Sequence, residues 1–299
     1  FALLAYASAW LKVHRPAAFY AGLLNHQPMG FYSPASLVQD ARRHGITVLP
    51  VCVRDSLLAC EVIDDRTLRL GLGAIRGVRA PALRALIETR TGLPFVSMAD
   101  FLRRTDFTAA ERRALARAGA LNVLAGHRRA ALWQVEASDQ TDELFRLVAV
   151  PGPEAELTPL ERMTHLERLQ ADYETQQLTT GAHPMLHLRS QLPGVWRAAD
   201  LPQARPGDRV RIGGTVITRQ RPGTAKGFCF ITLEDETGHA NAIVRPDLFE
   251  TARLVINLEP ALLITGRVQN EQGVIHVMAE SLAALPAPGL PESPSHDYH

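Results

Sequence analysis

Lysine is almost missing from this sequence: it occurs only at Lys12 and Lys226, so nearly all of the positive charge is arginine. Arginine suits bidentate contact with phosphate, but a GC-rich genome gives the same bias, so the excess alone decides nothing. Cysteine is sparse too. Cys52, Cys60 and Cys229 are scattered, with neither metal-ligand spacing nor an even set for disulfides, and this usage predicts a reducing, cytoplasmic setting. No apolar run approaches the ~20 residues of a membrane span, and no charged-then-apolar signal opens the chain, so no membrane partner is expected. The eleven histidines form no ligand cluster. His183 and His187 are four apart, but Pro184 between them and the lack of a third ligand argue against a metal site.

What is present is unevenly distributed. The net charge of +1 over 299 residues hides a basic module followed by an acidic connector. From Arg66 to Val135 there are 13 arginines against four acids, and from Glu136 to Thr175 ten acids against three arginines. The length allows two or three domains, each with its own core. The sequence opens at Phe1, without Met, inside an apolar helical pattern, and reads as cut from something larger.

Within the basic module, Leu70 to Leu86 reads as a short apolar segment, a tight hairpin at Ile75-Arg76-Gly77-Val78, and a helix entered at Pro81. Gly77 suits a positive φ, and Pro81 a first helical turn. Such a hairpin leaves backbone N–H groups pointing outward, which favours an anion such as phosphate. Arg76, Arg79 and Arg84 surround the point. A second copy runs from Ala110 through Gly119 to Leu132, where a second helix presents His127, Arg128 and Arg129 in its first turn. The two copies resemble a tandem helix-hairpin-helix, a module that grips duplex backbone, and the residues expected to make that grip are Arg76, Gly77, Val78, Arg79, Gly119, His127, Arg128 and Arg129. The competing reading is a glycine-rich helix connection with solvated arginines. Leu83, Leu86, Ile87, Phe101, Leu102, Leu115, Leu121 and Leu132 are the expected core.

The flanks complete a multidomain α+β chain. Residues 1–67 are a mainly helical scaffold, with Pro16 dividing two helices, Ser33-Pro34 starting another, and short extended segments after Gly45. Residues 68–137 hold the hairpins, and 138–205 an acidic connector with one helix from about Pro159 to Leu178. In that connector, Gln140, Leu144 and Phe145 have the look of a sliding-clamp-binding peptide one residue too long, against the reading that Leu144 and Phe145 simply pack on neighbouring helices. From Arg209 the period changes from 3.6 to 2. Strands at Arg209–Gln220, Gly227–Glu234, His239–Val244, Ala261–Val268 and Val274–Glu280, with a helix Pro246–Leu254 after the third, have the order of a five-stranded OB-fold β-barrel in residues 206–285. If Cys229, Ile231 and Leu233 fill the barrel, Phe228 and Phe230 face out beside Arg219, Arg221 and Lys226, a platform on which single-stranded bases can stack. The alternative is that one or both rings cap the barrel or meet a neighbouring domain. Glu234-Asp235-Glu236 reads as a turn between strands. The Pro- and Ser-rich segment 286–299 reads as a disordered tail.

Taken together, Phe1-Ala-Leu-Leu-Ala-Tyr-Ala-Ser-Ala-Trp-Leu-Lys-Val-His-Arg-Pro-Ala-Ala-Phe19, Leu72-Gly-Ala-Ile-Arg-Gly-Val78, Asn25-His-Gln-Pro-Met-Gly-Phe-Tyr-Ser-Pro34, Asp40-Ala-Arg-Arg-His-Gly45 and Thr180-Gly-Ala-His-Pro-Met185 resemble the error-prone branch of bacterial C-family DNA polymerases. The resemblance implies that residues 1–67 end the polymerase fingers, and that the parent is a damage-inducible nucleotidyltransferase acting in DNA repair and translesion synthesis. It implies DNA as partner, both duplex and single-stranded template, with a sliding clamp and other translesion-synthesis proteins as further candidates. The chemistry would use Mg²⁺ held by palm carboxylates upstream of Phe1. No Asp-x-Asp stands here on a strand with a third carboxylate, so no catalytic or metal residue is assigned and the chain alone is expected to be inactive. Arg79 departs from the family hairpin, which often has Gly there. The alternative is a free-standing nucleic-acid-binding or protein-interaction module.

Overall fold

Proline sets the first boundaries. Pro16 occupies the first turn of α2 (Pro16–Asn25), and Arg15 before it leaves helical geometry (φ −140°, ψ 58°), which ends α1 (Ala2–His14). Pro34 likewise opens α3 (Pro34–Arg43), capped by the Ser33 hydroxyl, which accepts from the Ser36 N–H. The computed structural model describes residues 1–30, 32–139, 160–286 and 296–298. They pack as two units, residues 1–27 with 45–180 and residues 28–44 with 181–299.

In the first unit, β1 (Thr47–Leu49), β2 (Glu61–Asp64) and β3 (Thr67–Arg69) form a small sheet with β3 central, parallel to β1 and antiparallel to β2. A 3₁₀ turn at Leu72–Ala74 leads through the hairpin to α4 (Ala80–Gly92). Then come α5 (Met98–Arg104), α6 (Ala109–Ala118), the single turn α7 (Asn122–Ala125), α8 (Arg128–Asp139) and α9 (His165–Gln176). Leu83, Leu86, Phe101, Leu115 and Leu121 are buried as their spacing predicts, while Ile87, Leu102 and Leu132 are only half-buried. The core gains an aromatic stack as well: Phe101 meets Phe95 edge-on at 5.4 Å and Phe107 face-on at 5.9 Å. α9 begins later than expected, because Thr164 and Glu167 form a reciprocal capping box that fixes its N-terminus.

The second unit is the barrel. Its strands are β4 (Arg209–Gln220), β5 (Cys229–Glu234), β6 (His239–Val244), β7 (Ala261–Glu271) and β8 (Val274–Ala284), with α10 (Pro184–Leu188) before them and α11 (Pro246–Leu258) between β6 and β7. β4 pairs with both β5 and β7, and β6 runs parallel to β8, so the circuit β4–β5–β6–β8–β7 closes on itself. That is the OB-fold order, and closure removes the exposed edges an open sheet would present. Val210, Ile212, Val216, Ile231, Leu233, Leu262, Ile264 and Val277 fill the interior. In the segment expected to be a disordered tail, His296–Tyr298 forms β9, pairing parallel with Thr218–Gln220 of β4; the ladder groups there are satisfied by this strand.

Helix α3 belongs with the barrel, although its sequence neighbours on both sides belong to the first unit. The buried carboxylate of Glu234 holds it, accepting from Ser36 Oγ and Arg43 Nη2, each at 2.9 Å. The acidic trio is a turn between β5 and β6, where Glu234 points away to α3 and Arg189 draws Asp235 and Glu236 together. Asp235 accepts from the N–H groups of Ala198, Thr237 and Gly238, and Glu236 pairs with Arg189 at 2.7 Å. His183 is buried and caps α10, its Nδ1 accepting from Met185 N at 3.1 Å; burial pushes its pKa down.

Candidate nucleic-acid interface

The first hairpin has the geometry that an anion site needs. Gly77 sits at φ +78°, where a side chain would be strained, and a Cβ there would meet nothing within 4 Å. Among the described residues, the N–H groups of Gly77 and Val78 have no acceptor. Arg76 anchors the turn from its other side, its N–H donating to Thr175 O at 2.8 Å. Its guanidinium is exposed and lies 3.0 Å from the Gln177 amide oxygen, a neutral partner that leaves the charge uncompensated. Arg84, one turn into α4, is exposed and unpaired among the described residues.

Arg79 plays a different part. Its backbone N–H and its guanidinium both donate to Glu111, at 2.9 and 2.7 Å. Glu111 also accepts from Thr108 N, closing the capping box of α6. The Arg79 hydrogen bond, outweighing the cost of burial, lowers the Glu111 pKa to about 2. The arginine that replaces glycine in this hairpin therefore ties the first hairpin to the second unit of the tandem pair, and its charge is largely matched.

The second hairpin is built as packing. Gly119 is buried in the left-handed C-cap of α6 (φ +84°), and a Cβ there would lie 2.7 Å from Arg128 Nε. Arg128 itself is buried, paired with Asp172 and donating to Ala118 O and Arg168 O at 3.1 Å. His127 caps α8, its Nδ1 accepting from Ala130 N at 3.2 Å. Arg129 pairs with Glu167 at 2.6 Å. Gly119 and Arg128 are thus corrected from surface contacts to core elements, because α9 folds back over this hairpin and supplies the partners. Arg117 pairs with Glu174 of α9 too, and Arg113 with Glu136. Much of the module's excess charge is neutralised by the acidic segment that follows it.

On the barrel, β5 alternates as expected: Cys229, Ile231 and Leu233 are buried, and Phe230 is 37% exposed opposite Ile243 and Gln220. Phe228 precedes the strand and is half-buried. Lys226 is exposed and unpaired among the described residues, in a left-handed turn at φ +49°. Arg221 lies over the Phe249 ring at 4.1 Å and pairs with Glu250 at 3.1 Å. Arg219 is corrected outright. It is buried and donates to Ile256 O and Glu259 O, satisfying carbonyls at the C-terminal end of α11. Gln140, Leu144 and Phe145 lie outside the described residues.

Sequence reading missed Asp172 and Glu111 as the anchors of the hairpins, since their partners are 44 and 32 residues away. It also passed over Arg209, Arg211 and Arg267, whose outward alternation along the strands was the available signal. Among the described residues, no group of three His, Cys, Asp or Glu is placed to hold a metal, and no helix is long and apolar enough to cross a membrane.

Two family profiles match the chain: a helix-hairpin-helix motif over residues 45–131 and an OB-fold nucleic acid binding domain over residues 202–285. The error-prone DNA polymerase of Bordetella parapertussis (strain 12822) is 45% identical over 292 residues, covering 95% of this chain and 28% of its own length. That of Azoarcus sp. (strain BH72) is 44% identical over 313 residues, covering 100% of this chain and 29% of its own length. Among solved structures, asparaginyl-tRNA synthetase from Pyrococcus horikoshii aligns with 35% of this chain and 26% of its own, at 24% identity and a TM-score of 0.28. With matches to the helix-hairpin-helix and OB-fold profiles, and spanning less than a third of the relatives' length, the chain is similar to a segment of these error-prone DNA polymerases.

Proposed function

We propose that the chain is the DNA-holding part of an error-prone DNA-directed DNA polymerase that copies past lesions, with the nucleotidyl-transfer chemistry performed elsewhere in the longer polypeptide. The observation that carries this reading is the first hairpin, where the unpartnered N–H groups of Gly77 and Val78 lie between the uncompensated arginines Arg76 and Arg84. Open turn amides flanked along the chain by exposed guanidinium groups can hold a phosphate without reading sequence, which is what a polymerase needs from its duplex grip. The barrel would meet single-stranded template, with Phe230 offering a face for stacking and Lys226 a cation beside it. The 45% identity to the Bordetella parapertussis polymerase supports the parent activity.

Mg²⁺, which polymerase chemistry requires, does not fit here: the described residues offer no carboxylate set to hold it, and no step is assigned to it in this chain. The clamp contact through Gln140, Leu144 and Phe145 is part of the same proposal and is tested by titrating a peptide spanning them against purified clamp. The main test is titration of the chain with primed duplex and with single-stranded DNA at two salt concentrations. Phosphate-driven binding weakens steeply as salt rises; no detectable binding at low salt would remove the reading.

A further inference from the structure

We infer that the barrel carries a second phosphate-binding track on its β4–β7–β8 seam, built from Arg209, Arg211 and Arg267 and suited to a single nucleic-acid strand. This rests on the nucleic-acid reading of the barrel and adds a surface that the loop between β4 and β5 and the Phe230 face do not include.

Arg209 and Arg211 alternate outward along β4 while Val210 and Ile212 point into the core. Arg267 is the direct cross-strand partner of Arg209 in the β4–β7 ladder. Like charges placed opposite each other across a ladder destabilise it. The fold tempers this with one carboxylate: Glu280 of β8 accepts from Arg209 Nε and Arg267 Nε, each at 3.0 Å. Arg267 also donates to Gly207 O at 3.0 Å, which fixes its guanidinium. Both arginine side chains stay about 60% exposed in spite of these bonds. Arg211, exposed beside them, has no partner among the described residues.

Three arginines against one shared carboxylate leave two positive charges on one seam, and Glu280 holds two of the guanidinium groups ready. Arg209 and Arg211 are two residues apart on a strand, a separation of about 7 Å, comparable with that of successive phosphates on an extended single strand. Planar guanidinium groups at that spacing match a phosphate backbone better than a single point anion. An acidic peptide is the competing occupant, and the strand spacing favours nucleic acid.

The test uses the whole chain and labelled oligo-dT, with affinity measured across a salt series. The R209A/R211A/R267A variant should bind about tenfold more weakly at low salt, with the slope of log K against log[salt] shallower by about 2, since each single-strand phosphate contact contributes about 0.7. E280Q should bind more tightly with a steeper slope. F230A should lose affinity with its slope unchanged. If the triple variant fails to fold, R211A alone should still lessen the slope by about 0.7. Failure of the wild-type chain to bind overturns both this track and the barrel's nucleic-acid role. A wild-type slope retained in the triple variant or in R211A overturns the track alone. Loss of poly-glutamate binding with oligo-dT binding intact would make the site one for an acidic peptide and overturn the proposal.

Discussion

At the scale of single residues, the arginines sort by what lies opposite them. Arg128 and Asp172 are both buried, so removing one partner strands the other charge in the interior. Arg128→Ala should cost about 3–5 kcal/mol in denaturant unfolding, while Arg128→Met combined with Asp172→Leu should recover much of that loss. A variant at Arg128 therefore reports on folding before it reports on DNA. Glu111 offers a pH test. Its folded-state pKa of about 2 lies below the ordinary 4.5, so its stabilisation is complete above pH 4.5 and is lost as pH falls through 2. Stability measured at pH 6 and pH 3 should drop more in the wild-type chain than in Glu111→Gln, which already lacks the carboxylate at both; an equal drop in the two would remove Glu111 as the acid-sensitive link.

At the scale of elements, the two hairpins share a pattern in sequence and diverge in use. The first leaves its turn amides open and its flanking cations unmatched, and the second buries its glycine and its first arginine beneath α9. Gly77→Pro cannot adopt φ +78°, and it should weaken duplex binding at least tenfold whatever the sequence. Arg76→Ala with Arg84→Ala should lessen the duplex salt slope by about 2. Arg129→Ala, whose charge Glu167 already matches, should change that slope little. These are read by titrating labelled duplex across a salt series, and a larger effect at Arg129 than at Arg76 and Arg84 would reverse the assignment. On the barrel, Phe230→Ala should cost single-strand binding ~1–3 kcal/mol, the worth of one stacked base; unchanged affinity would make the ring structural.

For the whole molecule, charge is the property that changes most between sequence and structure. A module with 13 arginines against four acids reads as strongly basic, and the acidic segment after it reads as a separate connector. Folded together, Glu136, Glu167, Asp172 and Glu174 each take an arginine of that module. Among the described residues Arg162, Arg168, Arg205 and Arg253 are also exposed without an ion pair, and the cations given a ligand role are Arg76 and Arg84 on the first unit and Lys226, Arg209, Arg211 and Arg267 on the second, where Arg209 and Arg267 share Glu280. Binding should therefore show a salt slope below what the arginine count alone suggests, since each arginine already matched by Glu136, Glu167, Asp172 or Glu174 is not free to replace a counterion on a phosphate. Mixed with primed template, nucleotides and Mg²⁺, the chain should bind DNA yet extend no primer; measurable extension would show that catalytic carboxylates had been overlooked.

The barrel was legible in the order of residues because alternation is local: β4 and β6 fall where the period-2 pattern puts them, and Pro246 opens α11 as a first-turn proline must. The hairpin at Gly77 was legible for the same reason, since positive φ is a property of one residue. Which arginines are free was not. Arg128 meets Asp172 across 44 residues, and Ser36 and Arg43 reach Glu234 across more than 190. No local period carries such a pairing. Sequence determined most of the elements, their order and the family they resemble, and tertiary structure decided the pairing of β9, which charges are consumed in holding the fold and which remain for a ligand. The reason is that propensity and periodicity act over a few residues, whereas the desolvation and pairing of a charge depend on whatever the completed fold brings against it.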